Sequence, residues 1–437
     1  MSHHDHSLEV RGVPHARQVV VRFKSSEPVR RSLSMLASTH AADAPAASSG
    51  PLEALLRNAQ ITSIEPLFER ERDGARLAKS NRLLLSLEED DDLSGFHVLT
   101  FDSVERAQAA VAKLKRDKRI ELVHLIPDRH FCAAQKASSS RPKKAPRSGI
   151  DPQLNRQWGL VAIKLPEAQA IAKFQEATDI VVAVIDSGVD ATHPDLKGIF
   201  LEEKNFTSGS KKDTQGHGTH VSGIIAAIRN NKLGISGVCQ SRKIMALKAL
   251  GPYSGPGYYR ALRYATDQGA RVINLSMGGE HDPTEELLIK RAIAKNVVVV
   301  AAMGNEYEEG NATSYPAAIS GVIAVGATDE LDRRASFSNT GPHIALVAPG
   351  VNVLSTVPTY PTSLAEGTDY EAWPGTSMAT PFVAAAVALL LAKNPALTVA
   401  QITKALQKGA DKPSGQLRFN HELGHGRLNI LKSLALV

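Results

Sequence analysis

Residues 181–188 read VVAVIDSG, an apolar run that ends in an acidic residue, a serine and a glycine. Similar runs of Val, Ile, Leu and Ala recur, giving candidate strands at residues 180–185, 243–247, 271–275, 297–302, 322–325 and 344–347. Helical patterns lie between them at residues 217–228, 258–268 and 284–294. Strands without polar alternation predict a sheet covered on both faces, and strand–helix–strand alternation predicts a mostly parallel sheet. The sequence therefore predicts an α/β fold for residues 151–437.

Three loops around this sheet carry groups with catalytic chemistry. Asp186 ends the first strand, His217 opens a helix, and Ser377 opens a second helix that is long and apolar. Sites in parallel sheets form beyond the carboxyl ends of the strands, so these loops are expected to hold one. A serine hydroxyl becomes an effective nucleophile when an imidazole takes its proton, and a buried carboxylate fixes the tautomer of that imidazole. The chain order Asp, His, Ser is one of the known orders of such a triad.

Five segments together resemble the subtilisin family of serine proteases, in that family's order and spacing. They read DSGVDATHPDL from residue 186, HGTHVSG from 217, NLSMGG from 274, AAMGNE from 301 and GTSMATP from 375. Taken singly, each is explained by a helix cap or a turn, but five in order favour catalysis. The resemblance runs from residue 151 to 429. It implies a three-layer α/β/α subtilisin-like domain with Asp186, His217 and Ser377 as its catalytic triad.

The resemblance also implies an oxyanion hole. Asn305 follows the apolar run VVVVAAMG, and the resemblance makes its side chain the donor that pairs with the backbone N–H of Ser377. The alternative is that Asn305 is a turn residue, because asparagine tolerates turn geometry.

Substrate contacts are implied by the same resemblance for Ser276, Met277, Gly278, Gly257, Glu306 and Ser314. The glycine-rich segments flank an extended substrate and pair with its backbone. Their alternative role is as tight turns. The resemblance implies that Ser314 lies at the bottom of the pocket for the residue before the scissile bond, with Glu306 near its mouth. Glycine is the family's usual residue at position 314, so the serine narrows the pocket and disfavours the bulkiest aromatic side chains.

A structural calcium site is a further implication. Asp151, Asp195 and Asn231 match positions where some members of the family bind Ca²⁺ through side-chain oxygens. Carbonyl oxygens of Ile228, Leu233 and Ile235 would complete the oxygen cage that calcium prefers. The alternative is that Asp195 caps a turn and Asn231 lies at a loop tip. The positive charge of Lys232 in the same loop weighs against the metal. No cofactor is expected to take part in the chemistry.

The N-terminal part of the chain predicts a separate small domain at residues 16–131. Strand patterns at residues 17–23, 96–101 and 120–126 accompany a helical pattern at 103–118, which indicates an α+β unit. This part resembles, with weaker motifs, the family's ferredoxin-like inhibitory propeptide. Residues 1–15 are expected to be a disordered tail. Residues 132–150, rich in Ser, Pro and cations, are expected to be a cleavable linker.

Composition excludes several classes of protein. The net charge of +6 is scattered, and no basic block is interleaved with aromatic residues, so a nucleic-acid partner is not expected. The longest apolar stretch, residues 378–392, contains Thr380 and Pro381 and is too short to span a bilayer. With two cysteines, Cys132 and Cys239, no disulfide framework is expected. No apolar run at the start forms a signal peptide, which leaves both unrecognised export and a cytoplasmic location open.

The sequence thus predicts a monomeric, self-processing serine endopeptidase that acts through an acyl-enzyme on proteins or peptides. Its own propeptide is expected to act as an intramolecular inhibitor, and cleavage is expected between Phe131 and Asp151. A peptide-binding pseudoenzyme would lack a triad member, and an α/β-hydrolase esterase would need a G-x-S-x-G elbow that Ser377 does not have. A processing convertase would usually carry an extra β domain after the last helix, so a degradative enzyme is favoured.

Overall fold

The computed structural model describes residues 17–24, 56, 59–68, 93, 95–132, 151–171, 174–251, 255–413 and 415–437. The chain divides into two compact units, Met1–Asp128 with Pro252–Pro256, and Arg129–Gly251 with Gly257–Val437. The predicted tail at residues 1–15 lies outside the described residues, as does the predicted linker after Cys132. The predicted domain boundary after Phe131 stays a prediction, and the compact units divide three residues before it.

Among its described residues, the first unit has a four-stranded antiparallel sheet and an 11-residue helix. Its elements are β1 (Gln18–Phe23), β2 (Ile61–Pro66), β3 (Phe96–Phe101), α1 (Val104–Leu114) and β4 (Ile120–Leu125), with strand order β2-β3-β1-β4. Apolar side chains of α1 and of the strands form one core, including Val19, Leu99, Ala107 and Leu114. This agrees with the predicted α+β unit. The sequence did not predict β2, which lies at the sheet edge and is mostly part-exposed.

The second unit is built on a seven-stranded sheet whose neighbouring strands are all parallel. The strands are β6 (Val182–Asp186), β7 (Phe200–Asn205), β8 (Ile244–Lys248), β9 (Val272–Leu275), β11 (Val298–Ala302), β12 (Ile323–Thr328) and β13 (Ile344–Pro349). Their order is β13-β12-β11-β9-β6-β8-β7. All residues of six strands are buried, as their mostly apolar sequences without polar alternation predict. The seventh, the edge strand β7, is partly exposed.

Helices and short strands complete the second unit. The helices are α2 (Trp158–Ala162), α3 (Leu165–Gln169), α4 (His217–Ala226), α5 (Gly257–Asp267), α6 (Pro283–Ala294), α7 (Thr376–Lys393), α8 (Val399–Gly409) and α9 (Ile430–Ala435). Two small antiparallel sheets pair β14 (Val353–Val357) with β15 (Asp369–Trp373), and β10 (Met277–Gly279) with β5 (Arg129–Phe131). This arrangement is the predicted three-layer α/β/α architecture.

Helix α7 lies in the core of the second unit. Its side chains from Thr376 to Leu391 are all buried, and it packs against α4 and the central strands. Among the described residues, α7 is the one helix long and apolar enough to cross a membrane, but 89% of it is buried inside the protein. Burial on all sides explains why its sequence is apolar all round, and it confirms the prediction of a buried core helix.

Candidate active site

The fold brings the three predicted catalytic residues to one edge of the parallel sheet. Asp186 is the last residue of β6, His217 is the first residue of α4, and Ser377 is the second residue of α7. After β6 the chain forms β7 and β8 on one side of that strand, and then crosses to β9 on its other side. Such a reversal of strand order opens a crevice at the carboxyl ends of the strands. The site lies where this rule predicts.

Asp186 and His217 form a buried hydrogen-bonded pair. The imidazole Nδ1 lies 2.8 Å from Oδ1 of Asp186 and 3.0 Å from Oδ2, with the side chains of Asp186 and His217 1% and 0% exposed. The backbone N–H of Ser187 donates to the same Oδ1 at 2.7 Å. Donation from Nδ1 leaves Nε2 as the basic nitrogen, and Nε2 is buried with no hydrogen-bond partner. This is the state in which a histidine can accept a proton.

The Ser377 hydroxyl points to a different acceptor in this structure. It donates to the backbone carbonyl of Ser276 at 2.8 Å, while the Ser276 hydroxyl donates to the carbonyl of Ser377 at 2.9 Å. The hydrogen bond from Ser377 to His217 is therefore not formed. Rotation of the serine side chain would be needed to form it, and catalytic hydrogen bonds commonly tighten only in the reacting complex.

Asn305 carries an unpaired donor beside the nucleophile. Its Oδ1 accepts from the backbone N–H of Thr376 at 3.0 Å and from the Thr376 hydroxyl at 2.8 Å. These bonds fix the amide and leave Nδ2 buried without a partner. The backbone N–H of Ser377 donates to the carbonyl oxygen of Cys132 at 3.1 Å. Both donors expected for an oxyanion hole are present, and one already binds a peptide carbonyl. The role of Thr376 was not predicted.

Strand β5 lies in the site as an extended peptide. It pairs antiparallel with β10, with Phe131 opposite Met277, His130 opposite Gly278 and Arg129 opposite Gly279. Met277 and Gly278 thus pair with an extended segment of the chain itself, and their contact with substrate stays a prediction. Because Cys132 follows β5 directly, its carbonyl is the one bound by Ser377. Cys132 was expected in the linker, but it is fully buried at the site.

The side chain of Cys132 enters a narrow pocket. A Cβ atom built on Gly278 would lie 3.1 Å from the Cys132 sulfur and 2.4 Å from the hydroxyl of Ser314, so only glycine leaves room at position 278. Ser314 is buried and its hydroxyl has no hydrogen-bond partner. Burial raises the pKa of the Cys132 thiol, which is therefore neutral. The small side chain of Cys132 occupies this pocket, and the narrowing of the substrate pocket by Ser314 stays a prediction.

Glu306 lies beside the bound strand, and Gly257 takes part in packing. The carboxylate oxygen Oε1 of Glu306 lies 3.1 Å from Nε2 of His130. Burial would raise its pKa, but hydrogen bonds from His130 and Asn339 hold that pKa below its usual value. Gly257 starts α5, where a Cβ would lie 2.2 Å from the carbonyl oxygen of Phe206. This close packing explains the glycine, and its contact with substrate stays a prediction because residues 252–254 lie outside the described residues.

Asp213 is a buried residue near His217 that was not predicted as part of the site. Its carboxylate accepts hydrogen bonds from the backbone N–H groups of Gly216 and Thr219 and from the hydroxyls of Ser187 and Thr219. Burial raises its pKa, while these bonds oppose the rise. The carboxylate holds the first turn of α4, and so positions His217. The position of Asp213, four residues before His217, could have predicted this role, because carboxylates accept hydrogen bonds from the free N–H groups at helix starts.

The predicted calcium residue Asp195 lies in a hydrogen-bonded loop with Asn231. Asp195 Oδ1 accepts from the Asn231 side-chain NH₂ at 2.6 Å, and Oδ2 accepts from the N–H of Ile235 at 2.9 Å and the Tyr370 hydroxyl at 3.2 Å. The Asn231 oxygen accepts from the N–H of Leu233 at 2.7 Å. Asn231 therefore turns a donor, rather than its oxygen, toward the carboxylate.

Asp151 is held in the same way. Its two oxygens accept from the N–H groups of Asn230 and Lys232 and from the Ser236 hydroxyl. Protein donors thus satisfy all four carboxylate oxygens of Asp151 and Asp195, an arrangement that fits a hydrogen-bonded loop rather than a cage of converging oxygens. In the described part of the chain, no three His, Cys, Asp or Glu side chains are grouped to hold a metal. Calcium binding stays a prediction, to be decided by a melting experiment.

Fold and site together define a serine peptidase of the subtilisin type. The chain belongs to the subtilase family, whose model matches residues 177–426. It is 42% identical to the thermophilic serine proteinase of Bacillus sp. (strain AK1) over 57% of this chain and 60% of that protein. It is 38% identical to subtilisin DY of Bacillus licheniformis over 62% of this chain and 96% of that protein.

A solved structure extends the similarity. The crystal structure of fervidolysin from Fervidobacterium pennivorans, described as a keratinolytic enzyme related to subtilisin, matches with a TM-score of 0.70 at 25% identity. The match covers 96% of this chain and 60% of the fervidolysin chain. This chain therefore spans about three fifths of the length of fervidolysin and of the thermophilic proteinase.

Proposed function

We propose that this protein is a serine endopeptidase made as a self-processing zymogen, and that it first cuts itself at the bond between Cys132 and Ala133. One observation carries the proposal. The carbonyl oxygen of Cys132 accepts the backbone N–H of Ser377 at 3.1 Å, beside the unpaired amide of Asn305. A carbonyl in that position is the one a serine nucleophile would attack. The proposal narrows the predicted cleavage range, between Phe131 and Asp151, to a single bond near its start.

The proposed mechanism uses only groups of the chain itself. Ser377 Oγ attacks the Cys132 carbonyl carbon as its proton passes to Nε2 of His217, and Asp186 stabilises the resulting imidazolium. The Ser377 N–H and the Asn305 amide hold the negatively charged oxygen. The C–N bond then breaks as His217 returns the proton to the leaving amine. Water, deprotonated by His217, hydrolyses the acyl-enzyme.

The same groups would act on other proteins and peptides once the segment before the cut has left the groove. While Phe131 and Cys132 remain there, Ser377 and His217 are fully buried. The N-terminal part would therefore inhibit the enzyme until it dissociates or is degraded. We propose no cofactor for these steps. The predicted calcium would contribute only to stability.

The test compares the intact masses of the purified wild-type chain and Ser377→Ala, with casein digestion run alongside. The wild type should lose residues 1–132, show a new N-terminus at Ala133 before any further trimming, and digest casein. Ser377→Ala should stay full-length at 46.8 kDa and leave casein intact. A wild-type chain that keeps its full mass and still digests casein would contradict self-processing. A wild type inert in both assays would contradict the peptidase itself.

A further inference from the structure

The strand in the active site places one charged side chain in a deep pocket. Arg129 is the fourth residue back from the bond after Cys132, and its side chain is only 4% exposed. The two residues between them differ in character: Phe131 stacks on the catalytic imidazole, and the His130 side chain is 54% exposed. A buried charge contributes more to selective binding than an exposed one, because solvent screens exposed pairs. Arg129 is therefore the side chain most able to determine selectivity.

The pocket around Arg129 matches the shape of a guanidinium group. Its Nη2 lies 2.8 Å from Oε2 of Glu285, and its Nε lies 3.2 Å from Oε1. The guanidinium and the carboxylate therefore form a bidentate ion pair. Nη1 donates to the backbone carbonyl of Glu280 at 2.8 Å. The ring of Tyr258 lies 5.9 Å from the guanidinium carbon. A bidentate pair favours arginine over lysine, because the single ammonium group of lysine cannot form two parallel hydrogen bonds to one carboxylate.

The acidic side of this pocket belongs to helix α6 and the residue before it. Glu285 is fully buried, and Asp282 is 1% exposed with its Oδ2 3.8 Å from the arginine. Asp282 caps α6 by accepting the N–H groups of Thr284 and Glu285, and it also accepts the Tyr259 hydroxyl. These contacts hold the carboxylates in place through the fold of the second unit. When the segment that carries Arg129 departs, the carboxylates remain and lose that cation.

A buried carboxylate without a cation is costly, and a new cation relieves the cost. We propose that this pocket is a specificity site, and that the enzyme selects polypeptides with arginine at the fourth residue before the bond it cuts. The inference rests on the proposed endopeptidase function. The substrate class is thus an extended segment Arg-x-x-small, with the cut after the small residue. The small residue follows from the narrow space that Gly278 and Ser314 leave for Cys132.

The test uses the self-processed wild-type enzyme and quenched fluorescent peptides that carry the sequence of residues 129–135, with alanine in place of the cysteine. The peptides differ only at the first residue, which is Arg, Lys, Leu or Ala. We expect kcat/KM for the arginine peptide to exceed that for the leucine peptide by about 100-fold. It should exceed that for the lysine peptide by about tenfold.

A pair of neighbouring variants then assigns the effect to the pocket. Glu285→Gln keeps the size of the side chain but removes its charge, so the arginine-to-leucine ratio should fall toward one. Glu286→Gln is the matched control, because Glu286 is part-exposed and pairs with His281 and Lys290 instead. It should keep the ratio of the wild type. The ratio is measured within each variant, so a partial loss of folded enzyme does not alter it.

The chain itself provides a second measurement. Arg129→Ala should delay the appearance of the Ala133 N-terminus by a factor similar to the peptide ratio, whereas His130→Ala should delay it far less. Equal cleavage of all four peptides by an active enzyme, or normal self-processing of Arg129→Ala, would overturn the arginine site and leave the peptidase function standing. Failure to cleave casein and every peptide would overturn the peptidase function, and the specificity site with it.

Discussion

The aromatic ring of Phe131 stacks on the imidazole of His217, with 4.2 Å between the ring centroids and 27° between the planes. His217 is completely buried, although the proposed mechanism requires its Nε2 to meet substrate. Phe131, the residue just before Cys132, thus covers the proposed catalytic base while strand β5 occupies the groove.

Removing this ring should expose the base. In the uncleaved Ser377→Ala chain, Phe131→Ala should make His217 react with diethyl pyrocarbonate, which acylates unprotonated imidazole nitrogens. His220 is the internal control: it is equally buried, it stacks on Trp373 at 4.6 Å, and burial lowers its pKa to about 3. Peptide mapping by mass spectrometry measures both sites. Unchanged protection of His217 would show that another group covers it.

The triad should behave as one unit. Ser377→Ala and His217→Ala should each remove nearly all peptidase activity, and the double variant should lose little more. Asp186→Asn should keep the fold but lower kcat by about 10⁴-fold, because the amide favours the wrong tautomer of His217. Steady-state kinetics on a peptide substrate, with circular dichroism as the folding control, measure these losses. Losses that multiply in the double variant would contradict a triad.

Asn305 should contribute to the transition state rather than to substrate binding. Its Nδ2 lacks a partner in the structure, so its bond to oxygen is expected to form when negative charge develops. Asn305→Ala should lower kcat by about 100- to 1000-fold with little change in KM; the measured precedent for this magnitude is itself a subtilisin. Asn311→Ala provides a comparison outside the proposed oxyanion hole, since the Asn311 amide donates to Thr340. A rise in KM at constant kcat would assign Asn305 to ground-state binding.

The proposed arginine preference should depend on pH through Glu285. Burial raises the pKa of Glu285 from 4.5 to about 7, while Arg129 and the Tyr258 hydroxyl oppose the rise and Asp282 adds to it. Above that pKa the side chain is ionised and attracts arginine; below it the side chain is neutral. Because Arg129 lowers this pKa, Glu285 of the empty pocket takes up its proton at a higher pH, so the arginine-to-leucine ratio of kcat/KM should fall as the pH drops toward about 7. Because both peptides are cleaved by the same proposed groups, pH effects on the shared chemical steps cancel from the ratio.

The Glu285→Gln variant controls this pH experiment. Its ratio should be low and independent of pH, because glutamine does not titrate. The arginine of the peptide stays charged throughout the range. A wild-type ratio that stays constant from about pH 5 to about pH 9 would mean that Glu285 does not supply the selective charge.

The loop around Asp195 should be stabilised by its hydrogen bonds. In the Ser377→Ala background, Asp195→Ala would leave the N–H of Ile235 and the hydroxyl of Tyr370 without their acceptor. Each buried unpaired donor costs about 1–3 kcal/mol, and about 1 kcal/mol shifts the melting temperature of a large domain by roughly 2–4 °C. Calorimetry should show this loss for Asp195→Ala, and no loss for the exposed control Asp179→Asn.

The same melting experiment also tests calcium binding. If hydrogen bonds alone stabilise the loop, the melting temperature of Ser377→Ala should be the same in calcium as in EDTA. A higher melting temperature in calcium that disappears in Asp195→Ala would establish the metal site, because a ligand that binds only the folded state raises its stability.

The sequence predicted the parts of the fold that are uniformly apolar. Strands β6, β9 and β11 were located within two residues of their observed limits, because strands buried on both faces show no polar alternation. Strand β7 was missed, since its sequence FLEEKN carries charges that an edge strand tolerates. Strands β5 and β10 were missed because three residues give no periodicity.

The residues of the candidate site were also predicted only in part. Asp186, His217 and Ser377 were predicted because each lies in a motif at the end of an element. The partners of Arg129 were not predicted, because a pocket assembled by packing leaves no local pattern in the sequence. Arg129 and Glu285 lie on separate elements that only the pairing of β5 with β10 brings together.

The parallel sheet has one more consequence. In the proposed mechanism, the nucleophile, the base, the amide of Asn305 and the bond to be cut come from different elements. Contacts between residues far apart in the chain join these elements. Contacts of this kind form late in folding. Self-cleavage after Cys132 would therefore act as a checkpoint: a chain with any central strand misplaced could not cut itself, and would keep its N-terminal part. Release of an active protease would then report that folding is complete.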